Sequence, residues 1–130
     1  MNKLRYFSDY AYAALRFMSG WMFAFHGVQI LFGLYAPAQM PPLTLGSQMW
    51  FGGVIELVCG LMIALGLKTR WAAFLASGTM AIAYIQFHWK FQFNSNFFPG
   101  VNQGELSVIY CFIFLYIACE GAGKFALGRD

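Results

Sequence analysis

Apolar residues fall in four long runs, and short polar or breaker-rich stretches separate them. The runs extend from about Tyr10 to Leu34, Gln48 to Leu67, Trp71 to Trp89 and Glu105 to Glu120; the last is short and can borrow Gly121 to Phe125. A helix that crosses a bilayer needs about 20 mostly apolar residues. In lipid only helices and closed barrels satisfy the backbone, and barrel-type alternation is not visible in the sequence. Pro37, Pro41 and Pro42 interrupt the first connector, Lys68-Thr69-Arg70 makes a tight second, and Asn94-Ser95-Asn96 with Pro99-Gly100 marks the third. Short connectors favour antiparallel neighbours. The pattern predicts a single all-α integral membrane domain over 1–130. It is an up-down antiparallel bundle of four transmembrane helices, at about 10–34, 48–67, 71–89 and 105–120.

Composition sharpens this. Of 130 residues, 60% are hydrophobic and only 10% charged, against about 25% charged in an ordinary soluble domain. The aromatic share of 20% excludes disorder. A net charge of +3 without a basic run excludes a nucleic-acid binder. Arg16 interrupts the first run and no cleavage pattern follows it, so the N-terminus reads as a retained helix rather than a signal peptide. Cys59, Cys111 and Cys119 sit in apolar runs, without metal-type spacing, and read as packing residues.

Charge also sets the orientation. Four crossings put Lys3, Arg5, Lys68, Arg70, Lys124 and Arg129 on one side and only Lys90 on the other. The positive-inside rule then places both termini in the cytoplasm. The third connector, on the outer face, is crowded with Phe87, Trp89, Phe91, Phe93, Phe97 and Phe98. It reads either as an interfacial aromatic belt or as the mouth of a site for a lipid-like molecule.

Ionisable groups at membrane depth are expensive and survive by facing the bundle interior. Two layers are expected. An outer cluster holds His26, Glu56, His88 and Glu105, and an inner pair joins Arg16 to Glu120 unless Arg16 snorkels to the headgroups. Gln86 and Arg70 complete the polar set. Glu56 has no interface within reach and shares a helix face with Gly52 and Gly60, small residues that let another helix approach. Arg16, Gly20, Phe23 and Gly27 line one face of the first helix, with His26 turned about 80° from that line. Glu56 and His26 therefore read as a proton-handling pair, or Glu56 as a structural group bonded to Ser, Tyr or backbone. No Glu-x-x-His repeat, haem pair, hydrolase order or phosphate loop is present, and no metal is expected.

The motifs then accumulate. Arg16, Gly20 and His26-Gly27 are followed by Gly53-Val-Ile-Glu56-Leu-Val-Cys-Gly60, Leu65-Gly66-Leu67-Lys68-Thr69-Arg70, Asn102-Gln-Gly104-Glu105 and Gly121-Ala-Gly123-Lys-Phe. The chain resembles the DoxX family of small four-helix bacterial membrane proteins from about Arg16 onward, most specifically between Glu56 and Arg70. Family tails often read Gly-x-Gly-x-x-Ser-x-Asp; here Ala126 and Gly128 stand in the last two polar positions. The resemblance implies a plasma-membrane bundle associated with respiratory or redox systems.

The expectation is a redox-associated, quinone-linked component, a subunit of an oxidoreductase. Glu56 would be its acid/base group and His26 the partner, with Glu105 and His88 leading to outer water. No motif encodes a cofactor, and a quinone is the candidate ligand. Expected partners are the lipid bilayer, a second copy of the chain, or a membrane or soluble redox protein that supplies electrons. The alternative is a non-catalytic scaffold or assembly subunit of another complex.

Overall fold

The computed structural model describes residues 2–128 and 130. Those residues are helical, turn or loop, with no strand among them. A one-turn helix, α1 (Asn2–Arg5), precedes α2 (Ser8–Phe32), α3 (Gln48–Leu65) and α4 (Thr69–Ala83). The α4 helix runs straight into a π-helix, Tyr84–Trp89. A 3-10 turn (Ser95–Phe97) and the short α5 (Pro99–Asn102) lead to α6 (Glu105–Glu120).

Local chemistry explains the boundaries. Gly33, at φ 65°, ends α2 by returning its N–H to Gln29 O, so the stop comes before Pro37. The Ser47 side chain accepts from Trp50 N and starts α3. Gly66, at φ 73°, ends it.

Helix α2 packs on α3, α3 on α4, and α4 on α6. The α2–α3 seam is built from glycine. A Cβ on Gly20 would lie 2.7 Å from Gly60 O, and one on Gly27 would lie 2.8 Å from Gly53 O. The glycine expected beside Glu56, Gly52, instead meets nothing within 4 Å. The close approach runs through Gly53 and Gly60, because one residue along a helix is a turn of about 100°. Phe23 bridges α2 to α6, with ring centroids 4.7 Å from Phe114 and 5.7 Å from Tyr110. Cys59, Ile63, Ala73, Ala76 and Ile117 fill the centre around it.

The surface is inverted relative to a water-soluble bundle. Phe17, Trp21 and Met22 on α2, Phe51 and Leu61 on α3, Phe74 and Ile82 on α4, and Phe112 and Leu115 on α6 are exposed. Arg16, Ser19, Glu56, Thr69 and Ser77 are buried. On length and composition alone, α3 is the one helix among the described residues that is long and apolar enough to cross a membrane, with mean hydropathy 1.7. The expectation of four spans is met by that measure only there. Helix α2 has the length, at 25 residues, but carries Asp9, Arg16, His26 and Gln29. Helix α4 is 15 residues before it changes pitch, and α6 is 16.

Candidate functional site

Glu56 stands midway along α3 and is 8% exposed, and its Oε2 has no hydrogen-bond partner. Two cavities meet at it. One, of about 480 Å³, is a mainly apolar groove lined by Ile30, Met49, Phe51, Ile55, Ile82 and Phe87 among others. The other, of about 270 Å³, lies between α2, α3, α4 and α6 and is lined by His26, Gln103, Ser107 and Tyr110 among others. Glu56, Ala83 and His88 line both. Tyr110, 5% exposed, has a buried hydroxyl without a partner and faces the second cavity. Buried polar atoms are nearly always paired, so two orphans around one cavity call for an explanation.

His88 owes its place to the π-helix and to the loop beyond it. Its Nδ1 lies 3.2 Å from Asn102 O, its own carbonyl accepts from Asn96 Nδ2 at 3.0 Å, and its ring stacks on Tyr84. Asn102 Nδ2 also donates to Asn96 O and to Tyr84 Oη. A carbonyl can only accept, so Nδ1 carries the proton of the neutral ring and Nε2 is left as an acceptor. Gln86, on the same turn, accepts from Gln48 Nε2 of α3.

The expected outer cluster is only partly assembled. His26, Glu56 and His88 share the 270 Å³ cavity, but no hydrogen bond joins His26 to Glu56 among the described residues, and His26 is exposed. Glu105 is not in the cavity wall. It is exposed at the first position of α6 and leans toward Gly100, because helical side chains point back toward the N-terminus. Leu106, Ser107 and Tyr110 take the places along the wall. Tyr110 has no signal in the sequence, and Asn96 and Asn102, visible there as a connector and a motif residue, are not marked as holding His88; these roles depend on long-range contacts.

The inner Arg16–Glu120 pair does not form. Arg16, 1% exposed, donates to the carbonyls of Ala122, Lys124 (3.2 Å) and Phe125 (3.0 Å) in the chain's tail. Glu120 is exposed, in a separate surface pocket with Tyr12 and Lys124. Arg70 caps the end of α6, donating to Ala118 O, Cys119 O and Glu120 O. It also pairs with Asp130, whose carboxylate accepts from Arg70 N and Ala122 N. Asp130 thus supplies the tail's acidic contact although Gly128 stands at the family's usual position. Lys124 completes this end with a 3.0 Å ion pair to Asp9. Among the described residues, no three His, Cys, Asp or Glu side chains come together as a metal site.

A family model, DoxX, matches residues 11–89. A protein of Haemophilus influenzae, described as an uncharacterized protein, is 38% identical over 128 residues, covering 98% of this chain and 95% of the relative. No solved structure matches.

Proposed function

The chain belongs to the DoxX family, and from that premise we propose that it is a four-span protein of the plasma membrane that binds a lipid-soluble quinone-type molecule within a redox system. The inverted surface of all four long helices supports the spans. Contacts at the two ends support the orientation. Asp9–Lys124, Leu65–Leu127 and Arg70–Asp130 gather the start of α2, the α3–α4 turn and the tail at one end, where Lys68, Arg70 and Lys124 also lie. That end is cytoplasmic by the positive-inside rule. Arg129, counted with it from the sequence, lies outside the described residues. Lys90 and the aromatic loop belong to the opposite end.

The observation that carries the ligand reading is the unpartnered Glu56 carboxyl at the junction of an apolar groove and a polar cavity. Ligand sites are mostly apolar clefts with a few convergent polar groups. A quinone ring fits that division: its tail follows the groove and its oxygens reach the Tyr110 hydroxyl and the Glu56 carboxyl, with His88 beside them. Carboxylates and imidazoles suit the proton transfer that accompanies quinone chemistry. In this reading the electrons come from a partner protein.

The test is titration of the purified protein in nanodiscs with decyl-ubiquinone, read as quenching of tryptophan fluorescence. The expected result is saturable quenching that weakens in Glu56→Leu and Tyr110→Phe. Linear quenching, identical in all three proteins, would overturn it. A second reading, a non-catalytic scaffold, is favoured by one observation: Arg16, the most deeply buried cation among the described residues, uses both terminal guanidinium nitrogens to hold the tail, its Nε alone unpartnered. It gains if Glu56→Gln lowers thermostability while ligand binding is unchanged.

A further inference from the structure

We propose that the site takes the reduced, hydroxyl-bearing form of its ligand, a lipid-soluble hydroquinone, in preference to the quinone. This rests on the quinone-type reading above and follows from the polar atoms that the cavity leaves unused. Glu56 Oε2 is buried without a partner. A carboxyl keeps at least one acceptor oxygen in either protonation state. His88 commits Nδ1 to Asn102 O, so in the neutral ring its remaining nitrogen also accepts. Tyr110 Oη contributes the one phenolic donor. At the junction of the two cavities the wall therefore offers acceptors from Glu56 and His88 and a buried donor from Tyr110, while His26 and Gln103, exposed, and Ser107, half-buried, lie farther along the second cavity alone.

A quinone's carbonyl oxygens only accept. They satisfy Tyr110 and, when the carboxyl is protonated, Glu56, but leave the His88 acceptor unmet in either case, and an unmet buried polar group is destabilising. A hydroquinone hydroxyl donates and accepts at once. It can give its proton to Glu56 or His88 while its oxygen receives Tyr110. The same reasoning extends to other lipid-soluble phenols and disfavours their ethers.

Calorimetric titration of the protein in nanodiscs, under anaerobic conditions, separates these forms. The probes are decyl-ubiquinol, decyl-ubiquinone and the dimethyl ether of the quinol. The quinol is expected to bind about tenfold more tightly than the other two, the scale of one or two net hydrogen bonds. Glu56→Met and His88→Phe should each shrink that ratio. Tyr110→Phe should weaken quinol and quinone alike, since its donor serves either form. Equal affinity for quinol and quinone would overturn this inference and leave the quinone-type site standing. Failure of all three probes to bind monodisperse, helical protein would overturn both. A preference that survives both Glu56→Met and His88→Phe would overturn the assignment of the acceptors.

Discussion

Gly20 of α2 and Gly60 of α3 pack backbone against backbone: a Cβ built on either would lie 2.7 Å from the other's carbonyl oxygen. That contact brings the two helices close enough to shield the Glu56 carboxyl, one turn away from Gly60, from the surrounding surface. Alanine at either position has only main chain to push against. Gly60→Ala should destabilise the fold by about 1–3 kcal/mol, even though alanine is the better helix former. A thermal melt in detergent checks it, with a fall of about 5 °C or more expected. Gly52→Ala, facing open space, serves as the control and should melt no lower than the native chain.

Replacing Glu56 by leucine tests whether the carboxyl serves the fold. Its Oε2 makes no bond within the protein, and exchanging a buried unpaired polar group for an apolar one is neutral or stabilising. Glu56→Leu should therefore melt at or above the native temperature while binding ligand more weakly. A large drop in melting temperature would return Glu56 to a structural role.

Arg16 holds three tail carbonyls from within the bundle. Arg16→Gln should lose about 3 kcal/mol and expose the segment after Gly121 to protease. Arg16→Lys should rescue little, since a compact ammonium cannot reproduce the guanidinium fork. Limited proteolysis followed by mass spectrometry reads the result.

The Lys124 ammonium is held above its ordinary value of 10.5 by its hydrogen bond to Asp9 and by that carboxylate's charge. A raised lysine contributes stability that is fully present below the ordinary value and is lost as pH climbs through the raised one. The tail contact should accordingly persist through neutral pH and weaken only above about 10.5. Asp9→Asn should return the Lys124 titration toward the ordinary value, measurable by NMR of the lysine side chain. The pair is exposed, so added salt should diminish the difference.

The long helices were readable because apolar runs and breakers are local signals. The run ending near Leu34 stops at Phe32 because Gly33 adopts a left-handed conformation, a shift of two residues. Glu56 was conspicuous by composition, being a carboxyl at hydrocarbon depth. Its neighbours were not. Placing Gly52 rather than Gly53 on the packed face is an error of one residue, yet it turns the contact by about 100°. The partners of Arg16 are main-chain carbonyls, which carry no side-chain signature, so the sequence points instead to the acid at the same end, Glu120. Tyr110 looked like any aromatic residue in an apolar run until the packing of Phe23 and Phe114 set its ring against a cavity.

The widened turn at Tyr84–Trp89 has a consequence for how this sequence can vary. A π-helix is in effect an α-helix carrying one surplus residue, and here the surplus precedes the imidazole that borders both cavities. A single-codon deletion between 84 and 87 would let the ordinary spiral continue and leave all that follows close to its present angle about the axis, whereas one in the regular turns of α4 would swing it by about 100°. The imidazole would keep its place on the wall it shares with Glu56 after the first deletion and lose it after the second. The wide turn is thus the one stretch of this helix that can shed a residue without turning its imidazole away.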